Sequence, residues 1–252
     1  MRILLTNDDG IHAPGFAALE RIARQLSDDL WFVAPAEEQS GAGHSLTLTQ
    51  PIRVRTLDER RFAVAGTPTD SVMMGLGLLM GELRPDLILS GVNRGPNLAE
   101  DLTYSGTVSA AMEGTLAGIR SIALSQAMAD YRLGNENFAA AETTAPDIIR
   151  DLAATDWGKG VLININFPAL ARPKGVRVTE QGFRDYGHIR IDARTDPRGF
   201  PYYWFGYGRE VESPGRTTDL QAIRDGHVSV TPLHLDLTHH QSLATLRASL
   251  ES

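Results

Sequence analysis

The 252 residues include no cysteine, so disulfides, thiolate metal sites and a cysteine nucleophile are excluded, and any metal must be held by oxygen or imidazole. No stretch approaches the roughly 18 uninterrupted apolar residues that a membrane-spanning helix requires. The first residues read as a strand rather than as the basic and then apolar leader of a signal peptide, so the expected location is cytoplasmic. Positive charge is in deficit: 24 Lys and Arg against 31 Asp and Glu give a net charge of −7. That balance argues against DNA or an anionic membrane as partner, while a small anionic substrate held through a metal and backbone donors fits it. There is neither a Walker Gly-x-x-x-x-Gly-Lys-Ser/Thr signature nor a Gly-x-Gly-x-x-Gly after the first strand, which weakens the nucleoside triphosphatase and dinucleotide readings. Aromatic residues are sparse at 7%, which makes the tract Phe200-Pro201-Tyr202-Tyr203-Trp204-Phe205-Gly206-Tyr207 stand out.

Strand and helix signals alternate along most of the chain, the pattern of an α/β fold with a doubly wound, mainly parallel sheet. The first apolar run, Ile3 to Asn7, ends at the acidic pair Asp8-Asp9. Pro14 then opens a helix with Phe16, Leu19, Ile22, Ala23 and Leu26 along one face. A strand over Leu30 to Val33 runs into the polar loop 37–43. Ser45 to Arg55 reads as an edge or hairpin excursion that Arg61 to Ala65 can pair with, and Thr69-Asp70 introduces a helix. Asp86 to Ser90 is a buried strand, followed by a helix from Val108, a strand over Ser121 to Ser125, a helix over Asn135 to Ala153 and a strand over Val161 to Phe167. Residues 183–217 are rich in Gly, Pro, Arg and aromatics and hold no amphipathic period, which marks an arm or flap. A strand over His227 to Thr231 and a short helix from about His240 close the chain.

Adjacent side chains on a continuing strand face opposite ways, so Asp8 and Asp9 converge only if the strand ends there, and Gly10 permits that break. Ligands of open α/β sheets bind beyond the carboxyl ends of strands, although paired aspartates also suit a plain turn. Ser40 follows the second strand and Asn93 the strand at 86–90, so two carboxylates, a hydroxyl and an amide carbonyl fall at strand-end loops. This hard-oxygen set suits Mg²⁺ or Mn²⁺ better than zinc and leaves coordination positions for water or phosphate oxygens. Singly, Ser40 suits a turn and Asn93 a left-handed position; their joint placement is what favours a site. In Tyr104-Ser105-Gly106-Thr107-Val108, hydroxyls and a glycine precede a helix, where they either cradle an anion or merely cap the helix. Asn97 adds an amide donor to that cradle or only shapes the turn after Gly95-Pro96.

Together, Leu-Thr-Asn-Asp-Asp-Gly-Ile at 5–11, Ser40-Gly41 before Ser45-Leu46-Thr47, Gly-Thr-Pro-Thr-Asp at 66–70, Ser-Gly-Val-Asn-Arg-Gly-Pro-Asn at 90–97 and Tyr-Ser-Gly-Thr-Val at 104–108 closely resemble the motifs of the SurE family of stationary-phase survival proteins. The resemblance covers nearly the whole chain, including Thr218-Asp219 and Val228 to Leu233. It implies a Rossmann-like fold and metal-dependent hydrolysis of nucleoside 5′-monophosphates, with 3′-monophosphates and short polyphosphate as further substrates. One divalent ion per subunit, Mg²⁺ or Mn²⁺, is then held by Asp8, Asp9, Ser40 and Asn93. Phosphate contacts are implied for Asn97, Ser105, Gly106 and Thr107. Assembly is implied as a homodimer or homotetramer with exchanged C-terminal arms. On this basis residues 1–182 form the catalytic core, and 183–252 form an arm plus the last strand and helix that complete the core. His44 occupies a loop position that varies in the family and receives no role.

The site chemistry favours attack by water that a metal makes easier to deprotonate, with Asp8 and Asp9 as the catalytic acids that hold the ion. Covalent attack by Asp8 or Asp9 lacks the usual aspartate-x-aspartate spacing of aspartyl-phosphate enzymes. No general acid identifies itself: His12, His44, His188, His227 and His234 occupy contexts where histidine is more often structural. Two other classes use the same loops. A nucleotide or phosphate sensor would bind without turnover, and a metal-dependent glycosyltransferase would release sugar from a nucleotide-sugar. The tract at 200–207 suits base stacking or, more commonly, an interface.

Overall fold

The computed structural model describes residues 1–132, 134–185, 189–207, 211–212 and 217–251. Its first half runs β1 (Ile3–Thr6), α1 (Pro14–Ala23), β2 (Leu30–Pro35), β3 (Arg53–Asp58), β4 (Arg61–Ala65), α2 (Pro68–Met74), β5 (Leu87–Arg94) and α3 (Gly106–Leu116). The second half runs β6 (Arg120–Gln126), α4 (Ala139–Ala153), β7 (Val161–Phe167), β8 (Val176–Val178), β9 (Arg184–Asp185), β10 (Ile189–Thr195), β11 (Pro201–Tyr207), β12 (Val211–Glu212), α5 (Asp219–Arg224), β13 (Val228–His234) and α6 (His240–Leu250). Nine strands form the central sheet in the order β3-β4-β2-β1-β5-β6-β7-β13-β8. The inner pairings from β4 through β7 are parallel, whereas β3 with β4 and β13 with β7 are antiparallel.

Both faces of this sheet are covered, which is why β1, β2 and the start of β5 are continuous apolar runs rather than alternating ones. Ile3, Leu5 and Leu89 pack with Phe16, Leu19 and Ile22 of α1 and with Ile149 of α4. Leu4 and Ile88 point to the opposite side, against Val72 of α2 and Ala110 of α3. After β1 the chain builds β2, β3 and β4 on one side and then crosses to place β5 on the other. Strand order therefore reverses at the β1–β5 boundary, and a crevice opens beyond the carboxyl ends of these two strands.

Several boundaries differ from the sequence expectation for local reasons. The helix expected from Asn135 begins at Ala139, because Asn137 turns back and its Oδ1 accepts from the Ala139 N–H at 2.9 Å. In the 45–55 excursion only Arg53–Asp58 pairs, and Thr47 is instead anchored by its N–H and hydroxyl to Asp70. The arm does carry a strand period: β10 and β11 form an antiparallel hairpin in which Ile191 faces Phe205 and Asp192 faces Trp204. Neither face is covered, with Phe205 88% and Trp204 60% exposed, so the apolar–polar contrast that normally reveals a strand is missing. His188 lies outside the described residues.

Candidate active site

At the end of β1, Asn7 turns the chain by donating from Nδ2 to Gly10 O at 2.8 Å. Gly10 completes the turn at φ +101°, a conformation that a side chain disfavours. Asp8 is left buried and Asp9 half-buried on the crevice wall. The Gln39 N–H donates to Asp8 O at 2.8 Å, which draws the loop after β2 across the acidic turn. Ser40 on that loop donates its hydroxyl to Glu38 Oε1 at 2.8 Å. From β5, the Arg94 N–H donates to Asp9 Oδ2 at 3.3 Å. Asn93 directs its Nδ2 to Gly95 O at 2.8 Å, leaving Oδ1 for the crevice.

The amino end of α3 closes the opposite wall. Ser105 caps it, its Oγ accepting from the Val108 N–H at 3.1 Å. A Cβ on Gly106 would lie 2.8 Å from Asp8 Cβ, so glycine is what lets the helix begin against the acid. Thr107 is fully buried and donates its hydroxyl to Asp8 Oδ1 at 2.5 Å. The hydroxyl that the sequence offered to a substrate is thus turned onto Asp8, and Ser105 is the member of the 105–107 loop that lines the cavity.

Asn97 is fixed by side chains that sequence reasoning missed. Asn166 Oδ1 accepts from the Asn97 N–H at 2.8 Å, and the Nδ2 groups of Asn164 and Asn166 donate to Asn97 O at 2.9 and 3.0 Å. Asn97 in turn donates from Nδ2 to Ser125 Oγ at 2.8 Å, which leaves one amide hydrogen uncommitted. Two asparagines within an apolar strand were the available signal, since buried amides must be hydrogen-bonded. Asp219 holds the next turn, accepting from the N–H groups of Ala99 and Gly182 at 2.9 and 2.8 Å.

Asp8, Asp9, Ser40, Asn93, Asn97 and Ser105 all line one cavity of about 580 Å³, together with Glu38, Arg94, Tyr104 and Tyr131. His12, His44, His227 and His234 are not among its lining residues, and His44 pairs with Glu113 at 3.1 Å. Burial, followed by the neighbouring charge of Asp9, pushes the Asp8 carboxyl up to about 7. Burial also raises Asp9; the Arg94 N–H opposes the shift and the Glu38 charge adds to it. Among the described residues, no three His, Cys, Asp or Glu side chains gather as a metal-binding group. The donor set is instead two carboxylates, an amide carbonyl and a hydroxyl. Two crowded carboxylates that resist ionising, with the Asn93 amide and the Ser40 hydroxyl in the same cavity, fit a hard divalent cation, whose charge would reverse both effects.

A family profile described as Survival protein SurE matches residues 3–188. The chain belongs to the SurE family. A SurE protein of Rhizorhabdus wittichii, named 5′-nucleotidase SurE, is 60% identical over 98% of this chain and 99% of its own length. One from Erythrobacter litoralis with the same name is 57% identical across the whole of both chains. The crystal structure of the SurE protein from Aquifex aeolicus superposes with a TM-score of 0.84 at 41% identity, covering both chains completely. The doubly wound SurE fold is therefore shared throughout, and in this chain Asp8, Asp9, Ser40, Asn93, Asn97 and Ser105 line the cavity at the β1–β5 switch point.

Proposed function

We propose that this SurE protein is a divalent-metal-dependent 5′-nucleotidase that hydrolyses nucleoside monophosphates to nucleoside and phosphate. The observation that carries the reading is the meeting, in one cavity, of an oxygen-only acidic cluster with a capped helix start and a clamped amide. The names of the two bacterial relatives support it. When bound, the ion, Mg²⁺ or Mn²⁺ at one per subunit, offsets charge on the phosphoryl group and makes a water easier to deprotonate. Asp8 and Asp9 hold it, with Asn93 Oδ1 and the Ser40 hydroxyl completing the protein side. Thr107 keeps Asp8 oriented through its hydroxyl. Ser105 and the free amide hydrogen of Asn97 bind phosphate oxygens at the amino end of α3, where backbone donors favour an anion. The Asn164–Asn166 clamp keeps Asn97 in place without rearrangement during the reaction.

The substrate range extends to 3′-monophosphates and short polyphosphate, and the working location is the cytoplasm. No described helix is long and apolar enough to cross a membrane. The β10–β11 hairpin, with its uncovered aromatic faces, serves assembly into a homodimer or homotetramer by arm exchange. Phosphate release from nucleoside 5′- and 3′-monophosphates, before and after chelation, tests the activity. Mn²⁺ or Mg²⁺ should restore turnover that the chelator abolished, and full activity in metal-free protein would overturn the reading.

A further inference from the structure

The cavity is larger than a phosphoryl group needs, and part of its wall is aromatic. At the end of β5, the Arg94 N–H contacts Asp9, while the next residue, Gly95, lies beneath Tyr131. A Cβ added at Gly95 would sit 3.6 Å from Tyr131 Cε1 and 3.7 Å from its Oη, so the outer edge of the ring lies close to the bare backbone just past this strand. The Arg94 guanidinium braces the ring from 5.9 Å and donates to the Tyr131 carbonyl. Glu136 pairs with Arg94 at 3.4 Å and holds the guanidinium there. Asp130 ties down the neighbouring turn through Arg132 and Asn135. Despite this bracing Tyr131 is 55% exposed and lines the cavity. An aromatic ring with the Arg94 guanidinium over it, more than half exposed and set beside the strand end whose Arg94 N–H contacts Asp9, is built to receive a flat apolar group attached to a phosphate.

We propose that Tyr131 is the nucleobase platform of this site, the base of a nucleoside monophosphate stacking on the open face of its ring. This deepens the nucleotidase reading and rests on it. A stacking face reads planarity and area rather than a hydrogen-bond pattern, so it accepts every base and favours purines over pyrimidines. Tyr104, the other exposed tyrosine of the cavity, stands at the phosphate pole instead: it immediately precedes Ser105, and its carbonyl accepts from the Gly43 N–H at 3.2 Å.

Steady-state kinetics on a nucleoside 5′-monophosphate and on ribose 5-phosphate, which has the same sugar and ester but no base, test the assignment. Tyr131→Ala should lower kcat/KM for the nucleotide by about five- to a hundredfold, mainly through KM, and leave ribose 5-phosphate turnover as in the wild type. Tyr131→Phe should keep the wild-type preference, because the ring and not the hydroxyl acts. Equal losses on both substrates, no loss on the nucleotide, or a Tyr104→Ala variant that alone erases the preference would each overturn the platform while leaving phosphatase activity standing. A wild-type protein that hydrolyses neither substrate with Mn²⁺ present would overturn the nucleotidase reading, and the platform with it.

Discussion

Asp8→Asn replaces a buried carboxylate with a neutral amide of nearly the same shape that can still accept from Thr107. Without metal, the wild-type protein must ionise Asp8 against burial and against Asp9, which pushes its carboxyl from 3.8 up to about 7. Because the folded-state value is raised, the native protein holds a proton that the unfolded chain releases between these two values. Stability from this group is therefore present below about pH 4 and is lost as pH rises toward about 7. The full loss is about 4 kcal/mol. Asparagine escapes it, so the metal-free variant should melt higher than metal-free wild type at about pH 8, by up to roughly 10 °C for a chain of this size. The difference should close toward about pH 4. Mn²⁺ should narrow the gap, stabilising wild type by about 2.7 kcal/mol at about 100 times its Kd and the variant far less. Differential scanning calorimetry across this pH range, with chelator or with Mn²⁺, measures all three effects. A metal-free variant that melts lower than wild type at about pH 8, or equal stabilisation of both proteins by Mn²⁺, would refute the reasoning.

Thr107→Val removes the hydroxyl that orients Asp8, and losing such a support to a metal ligand should weaken Mn²⁺ binding by about ten- to a hundredfold. Calorimetric titration reads this directly; unchanged metal affinity with weakened phosphate binding would return Thr107 to the substrate. Deleting residues 198–212 should lower the oligomeric state seen by light scattering, and a wild-type protein that is already monomeric at working concentrations would remove the assembly role of the hairpin.

The scaffold was legible wherever burial leaves a one-dimensional signature. β1, β2, β5 and β7 announce themselves as apolar runs, and the acidic pair after β1 marks a site because carboxylates are costly where a strand feeds a covered sheet. Side-chain direction was not legible. Thr107 has the sequence context of an anion cradle, but the approach of α3 to β1, permitted by Gly106, turns its hydroxyl onto Asp8. Glu38 enters the cavity only because the Gln39 N–H ties one loop to another. Asn164 and Asn166 lie about 70 residues from the Asn97 they clamp, a relation that no local pattern encodes. The hairpin of the arm escaped notice because a strand is recognised by one buried face, and this one has none.

Anomalous scattering from a crystal soaked with Mn²⁺ and inorganic phosphate tests the central claim most directly. The account predicts one manganese peak per chain, bonded to carboxylate oxygens of Asp8 and Asp9, Asn93 Oδ1 and Ser40 Oγ, with phosphate bridging from it to Ser105 and Asn97. A manganese peak outside this cavity, or phosphate bound away from the ion, would contradict it.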